Sequence, residues 1–313
     1  MKAVLFKKGR NPNELLVVGE AEKPVPTRDD EVVIQVHASS VNAADYRMMK
    51  MGIAPKSKIF GADIAGVVES VGSRVVRFKP GDEIIGDLSN AGFGGFAEYA
   101  VAPEGVLAPK PSRLSFAEAA ALPLAGGTAL QALRMGMVSP GKRVLIVGSS
   151  GGVGSYALQL SKHFGAVVTG VCSPGNMEQV RGLGADRVID YSRDGFDDEY
   201  GVYDVIIAIN GSYSLVTYKR CLAPGGVCVC AGGSLGQIFR SLLFGRFLSL
   251  GSKKFRVLSA KGTAEDLLTL ARIADEGGIR PVIEAEYPLA ETPQAVGHVI
   301  SGHARGKVVI RVP

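Results

Sequence analysis

The chain has 313 residues, 46% hydrophobic and 21% charged, with 41 glycines and a formal net charge of +5. That length exceeds one comfortable core and favours two domains. No apolar run approaches the roughly 18 residues of a membrane span, and MKAVLFKKG at the N-terminus lacks a signal peptide's apolar region and cleavage site, so a cytoplasmic protein is expected.

Residues 1 to about 115 read as β-rich. Val32 to Val36 alternates, Ile64 to Val71 is a second strand, and strand-like pieces lie around Ile84 and from Ala97 to Val101. Lys79-Pro80-Gly81-Asp82 is a turn. No helical period persists there, which predicts a barrel or sandwich. His37, inside an alternating strand, reads as a packed or rim residue rather than a ligand.

From about residue 116 the texture changes. Phe116 to Met135 is rich in Ala and Leu and predicts helix; strands and helices then alternate. Arg143 to Gly148, Ala166 to Val171, Arg187 to Ile189, Tyr203 to Ile209, Gly226 to Cys230 and Phe255 to Ser259 are predicted strands. Val153, Tyr156, Ala157, Leu160 and Phe164 share one helical face, and Met177 to Leu183 is a short helix stopped by Gly184. This repetition predicts a doubly wound parallel sheet. A helix from Ala264 to Asp275, another near Ala295 and a closing strand, Gly306 to Val312, follow, and that strand is placed to rejoin the first domain. The four cysteines, Cys172, Cys221, Cys228 and Cys230, form no CxxC pair; reduced core positions are expected.

The strongest local signal is VLIVGSSGGVGSYALQL, Val144 to Leu160. A buried strand, a glycine turn and an amphipathic helix make a phosphate site, because the helix N-terminus offers unpaired N–H groups and a partial positive charge. Gly151 lets the backbone approach a pyrophosphate, and Gly154 lets the helix pack on the sheet. Against GxGxxG, Ser149 replaces the first glycine and Gly148 stands one position earlier. The second strand ends Val171-Cys172-Ser173-Pro174-Gly175-Asn176, with no acid before Glu178. A carboxylate there would bind a ribose 2′-OH and repel a 2′-phosphate, whereas Ser173 and Asn176 can donate to one. NADP(H) is therefore expected over NAD(H). Tyr191 and Arg193, after the third strand, either close over the adenine ribose or are plain surface residues.

The pieces SSVNAADYR (39–47), FGADIAGVVESVG (60–72), KPGDEIIG (79–86), GGFAEYAV (94–101), ALPLAGGTAL (121–130), VGSSGGVG (147–154), LGADRVIDY (183–191), LAPGGVCVCAGG (222–233) and HARGKVVIRV (303–312) run in order along the whole chain. Together they resemble the medium-chain dehydrogenase/reductases, specifically the zinc-free quinone oxidoreductase branch that includes zeta-crystallin. The resemblance implies an α/β fold: a GroES-like β-rich catalytic domain, residues 1–117 and 265–313, around a Rossmann doubly wound parallel sheet, residues 118–264, with the cofactor in the cleft at the strand C-termini. Zinc-dependent members carry a cysteine where Ser40-Val41-Asn42 stands, and a histidine and glutamate where Gly61-Ala62-Asp63 stands. Ala62 cannot ligate and Asn42 is a poor zinc ligand, so no metal is expected.

The zinc-free relatives move hydride from NADPH to a quinone or an enone, acceptors electrophilic enough to need only hydrogen-bond donors. The resemblance puts Asn42 and Thr128 beside the nicotinamide ribose and carboxamide. It puts Ser150, Gly151, Gly152, Val153 and Gly154 on the pyrophosphate, and Asn210, Ala231, Gly232 and Gly233 at later strand ends lining the cofactor. Tyr46 lies where the family often has a tyrosine near the substrate, with Arg47 beside it to steady an oxyanion. A structural role for both is the competing expectation. An enoyl-thioester reductase is the alternative enzyme. A non-catalytic NADPH-binding sensor or RNA-binding protein is the alternative of another class, although no RNP-type aromatic motif supports nucleic acid.

Between Asp204 and Glu265 there is no acid, and the span holds Lys219, Arg220, Arg240, Arg246, Lys253, Lys254, Arg256 and Lys261. Inside it, residues 234–254 are greasy and basic. Three expectations compete: a lid whose Lys253 or Lys254 meets the cofactor phosphates, a peripheral contact with anionic lipid, or a core helix with a solvated loop. The strand at 255–259 is expected to pair with its twin in a homodimer, since an edge strand needs cover.

Overall fold

The computed structural model describes residues 1–7, 15–209, 213–232, 249, 251–302 and 304–313. Its strands are β1 (Lys2–Phe6), β2 (Leu16–Glu20), β3 (Glu31–Ser40), β4 (Asp63–Val71), β5 (Glu83–Asp87), β6 (Tyr99–Pro103), β7 (Leu107–Pro109), β8 (Arg143–Val147), β9 (Val167–Cys172), β10 (Arg187–Asp190), β11 (Tyr203–Ala208), β12 (Leu222–Cys230), β13 (Lys254–Val257), β14 (Ile283–Pro288) and β15 (Lys307–Arg311). The α-helices are α1 (Ala43–Lys50), α2 (Phe116–Ala120), α3 (Pro123–Gly136), α4 (Gly152–His163), α5 (Met177–Gly182), α6 (Leu215–Cys221), α7 (Ala264–Asp275) and α8 (Thr292–Ile300). Two compact units result, Met1–Gly127 with Lys261–Pro313, and Thr128–Ala260. The first boundary falls inside α3, not at the change of texture near residue 117, because a continuous helix carries the chain from one unit to the next.

The first unit is built on a seven-stranded sheet in the order β14-β15-β3-β4-β5-β7, with β6 also on β3. β15 runs antiparallel to β3, with Val309 opposite Ser40. The last strand of the chain thus lies between β3 and β14, which runs parallel to it. Ile34, Ile64, Ile84 and Ile310 are wholly buried in its core. His37 stacks on Phe116 with ring centroids 4.5 Å apart, which makes it a packing residue. The absence of helix expected in this region is corrected by α1. Its eight residues follow the N-cap Asn42, where Asp45 reaches back to accept the Asn42 backbone N–H at 2.8 Å. The single helix expected from Phe116 to Met135 is two, interrupted before Pro123, which lacks the N–H a continuing helix needs.

The second unit is a six-stranded sheet in the order β10-β9-β8-β11-β12-β13, every described pair parallel. Counted within the unit this is 3-2-1-4-5-6, the dinucleotide-binding order, whose reversal point lies between β8 and β11. Val144, Leu145 and Ile146 are wholly buried, as a strand covered by helices on both faces requires. α4 buries Tyr156, Ala157, Leu158 and Leu160 completely. Each of the two leucines contributes roughly 1.5–3 kcal/mol by leaving water. All four cysteines are free and buried, and burial pushes the Cys172 and Cys221 thiols up to about 11, which keeps them protonated and inert. No helix among the described residues is long and apolar enough to cross a membrane.

Candidate active site

Two groups of site residues are described, one in each unit. In the second unit, β8 is followed by Gly148, whose φ of +88° is a backbone that side chains rarely adopt. The Gly148 and Ser149 N–H groups both donate to Val171 O, at 3.1 and 3.0 Å. Ser149, wholly buried, adds an Oγ bond to the same carbonyl at 3.1 Å. The serine at the first glycine's position therefore ties the turn to the end of β9. The two remaining glycines differ sharply. A Cβ at Gly154 would lie 2.0 Å from Gly148 O, whereas one at Gly151 would meet only that oxygen, at 3.8 Å. Gly154 is needed for helix-on-strand packing; Gly151 leaves an open cradle over the first turn of α4. Gly151 is the N-cap of α4 and brings no side-chain cap, so the first N–H groups of the helix remain for a ligand.

The turn is joined to the end of the second strand. Asn176 Nδ2 donates to Ser150 Oγ at 3.0 Å, and Gln179 Nε2 donates to Ser150 O at 3.2 Å. Asn176 Oδ1 is buried without a partner. Asn176 thus braces the glycine turn with one of its two amide N–H groups. Ser173, half-buried, makes no cap bond to the helical turn it opens. Gln179 was not singled out by sequence; its position one turn into α5 is the only signal. Tyr191 is 58% exposed, and its N–H donates to Cys172 O, which sets it beside the same strand end. Arg193 is exposed. Ala231 continues from β12, its N–H on Ala208 O at 2.9 Å, and a Cβ on Gly232 would strike Ile209 O at 2.5 Å. Thr128 is buried in α3. Asn210, Gly233 and residues 234–248 and 250 lie outside the described residues. The open cradle and the strand-end serine fit a dinucleotide with a phosphorylated ribose.

Lys254 is corrected. It pairs with Val227 at the start of a parallel strand, the edge of the sheet opposite the strand C-termini, and its Nζ donates to Gly251 O at 3.3 Å. Lys253 Nζ donates to Lys219 O at 2.7 Å. Strand direction, which sequence spacing does not reveal, puts both away from the glycine turn.

In the first unit, a buried polar cluster forms where β3, α1, β4 and β15 meet. Asp63 is wholly buried and receives four donors. Ser40 Oγ (2.6 Å), Asn42 Nδ2 (2.7 Å) and Lys307 Nζ (3.1 Å) converge on Oδ2, and the Leu124 N–H (2.8 Å) reaches Oδ1. Lys307 Nζ also donates to Asn42 Oδ1 at 2.6 Å. Asp45 accepts from Asn42 N and from Gly61 N at 3.1 Å. Burial pushes its carboxyl up to about 7; those two bonds oppose the rise and the Asp63 charge adds to it. Burial, with Asp63 adding, likewise holds Asp87 at about 6. Tyr46 is half-buried on α1, with Lys50 Nζ 5.3 Å above its ring, and Arg47 is half-buried beside it.

The donor set does not fit zinc. Ala62 has no ligand atom, both Asp63 oxygens are taken by N–H and O–H donors, and an ammonium stands among the three positions. Sequence reasoning named Asn42 but missed Lys307 and the role of Asp63. Their partners lie 244 and 265 residues from Lys307 along the chain.

Comparison with known proteins identifies the family. Residues 28–112 match the alcohol dehydrogenase GroES-like domain, and residues 183–310 match a family described as zinc-binding dehydrogenase. The chloroplast envelope quinone oxidoreductase homolog of Arabidopsis thaliana is 34% identical over 303 residues, covering 92% of each chain. The NADPH-dependent alkenal/one oxidoreductase of the same plant is 33% identical over 298 residues, 90% of this chain and 72% of that one. The solved quinone oxidoreductase of Coxiella burnetii superposes with a TM-score of 0.88 at 30% identity, covering 100% of this chain and 99% of that one. The chain belongs to the medium-chain dehydrogenase/reductase superfamily, in its quinone oxidoreductase branch.

Proposed function

We propose that this oxidoreductase reduces a quinone or an α,β-unsaturated carbonyl with NADPH and without zinc. NADPH, when bound, supplies the hydride. The Ser150–Gly154 turn binds the pyrophosphate on the N–H groups of α4, with Gly151 giving room, while Ser173 and Tyr191 take the phosphorylated adenosine end. Thr128, Ala231 and Gly232 complete the cofactor set, and Asn210 and Gly233 are assigned to it by resemblance. Asn42 holds the nicotinamide end; Tyr46 and Arg47 face the acceptor and stabilise the oxygen that gains charge.

What supports metal independence is the chemistry at residues 42, 62 and 63, where the chain's own ammonium replaces any ligand set. A quinone or enone carbonyl is already electrophilic, so hydrogen-bond donors suffice where an alcohol substrate would need a Lewis acid. The quinone and alkenal/one reductase names of the two relatives point to the same acceptors. A cytoplasmic homodimer, joined through the edge strand at residues 255–259, belongs to the same proposal. The test is turnover of protein freed of metal by dialysis against a strong chelator. Unchanged NADPH-dependent reduction is expected; loss restored by added zinc would overturn metal independence.

A further inference from the structure

Lys307, Asn42 and Asp63 form a closed triangle in which every pair is hydrogen-bonded. Lys307 Nζ meets Asn42 Oδ1 at 2.6 Å and Asp63 Oδ2 at 3.1 Å, and Asn42 Nδ2 meets Asp63 Oδ2 at 2.7 Å. The three residues are 3%, 6% and 0% exposed. The arrangement fixes which way the Asn42 amide faces. An ammonium only donates and a carboxylate only accepts. Flipping the amide would set NH2 against NH3⁺ and a carbonyl oxygen against a carboxylate. Asn42 is also the N-cap of α1, and its side-chain amide is held by Lys307 and Asp63.

A buried ion pair is a poor device for stability alone. Desolvating two charges offsets most of their attraction, and apolar residues of similar volume often do as well. The neighbours of Lys307 along β15, Val308, Val309 and Ile310, are buried aliphatics of that kind. What an apolar residue could not do is hold the amide. The ammonium on Oδ1 also polarises the amide and strengthens its N–H groups as donors. One of these is committed to Asp63. The other makes only a long bond to Ser40 O, at 3.4 Å, and is the one for which a ligand acceptor would compete.

We propose that Lys307 is a positioning residue for hydride transfer, acting through the Asn42 amide. This rests on the reading that Asn42 holds the nicotinamide end. Its test compares Lys307→Met, Asn42→Ala and the double variant, with kcat expressed per NADPH-binding site so that misfolded protein does not count. Lys307→Met is expected to lower kcat about ten- to a hundredfold, with the NADPH Kd within about twofold of native. The double variant should be no slower than Asn42→Ala alone. Additive losses, or an unchanged kcat in Lys307→Met, would overturn the role of Lys307 while leaving Asn42 in place. An unchanged kcat in Asn42→Ala would overturn both readings. Should Lys307→Met fail to fold, Lys307→Gln keeps a neutral donor and is expected to lose less than tenfold. A readout without cofactor accompanies these: the Asn42 side-chain amide protons should exchange with solvent at least about tenfold faster in Lys307→Gln than in native protein. Equal exchange would contradict the amide clamp.

Discussion

Gly151 and Gly154 sit three residues apart in one motif, yet the structure assigns them different physics. Gly151 faces open space, so Gly151→Ser should leave thermal unfolding unchanged, serine being as good an N-cap as glycine. It should weaken NADPH by about tenfold or more, some 1.4 kcal/mol, because the new side chain fills the cradle. Gly154→Ala drives a Cβ into a backbone oxygen and should cost about 2–3 kcal/mol of stability as overpacking does. Calorimetry with and without NADPH separates the two effects. Ser173 is the residue that the proposed function sets against the 2′-phosphate. Ser173→Asp should favour NADH over NADPH by at least about tenfold in Kd, because a carboxylate repels the 2′-phosphate and accepts from a free ribose hydroxyl.

At the scale of elements, α1 depends on one buried acid. Asp45 closes the helix start and holds Gly61 in place. Its folded-state value, raised by burial to about 7, lies above that of an unfolded aspartate. Its contribution to stability is therefore fully present below about pH 4 and is lost as pH rises through about 7. Asp87 adds the same sign near 6. Urea unfolding should show stability falling between pH 5 and 8 by on the order of a few kcal/mol, and Asp45→Asn should flatten that slope while lowering stability overall. This helix was not legible in the sequence, because AADYRMMK has no apolar stripe and starts with a reach-back from Asp45 rather than with periodicity. The β8–turn–α4 unit was legible because its signal is local: β-formers, glycines, then a buried face. Lys254 was misplaced because a strand's residues do not announce which end of a parallel sheet they occupy. Lys307 was invisible because its partners are far away in the chain and its own segment reads as a plain closing strand.

At the scale of the whole molecule, each unit is a separate solution to burial, a mostly antiparallel sheet that takes in the chain's last strand and a doubly wound parallel sheet. The parallel sheet ends in an edge strand, β13. Leu258 N–H bonds inward to Cys230 O, so alternate donors turn outward, and the outward Phe255 N–H is met by Ser249 Oγ at 2.9 Å. Val257 shares that outward direction. Val257→Pro should therefore leave the fold intact and convert the proposed homodimer to monomer, read by light scattering after size exclusion. A dimer that survives this change would place the interface elsewhere. The central claim is the transfer of hydride from NADPH to a quinone or an enone. It is tested most directly by following oxidation of NADPH, and of NADH in parallel, with 1,4-benzoquinone, 9,10-phenanthrenequinone, a short alkenal, a cyclic enone and crotonyl-CoA as acceptors. Rapid oxidation of NADPH with a quinone or enone, slower with NADH and indifferent to chelator, is the expected result. Tight NADPH binding with no turnover on any acceptor would contradict it and leave a cofactor-binding protein without this chemistry.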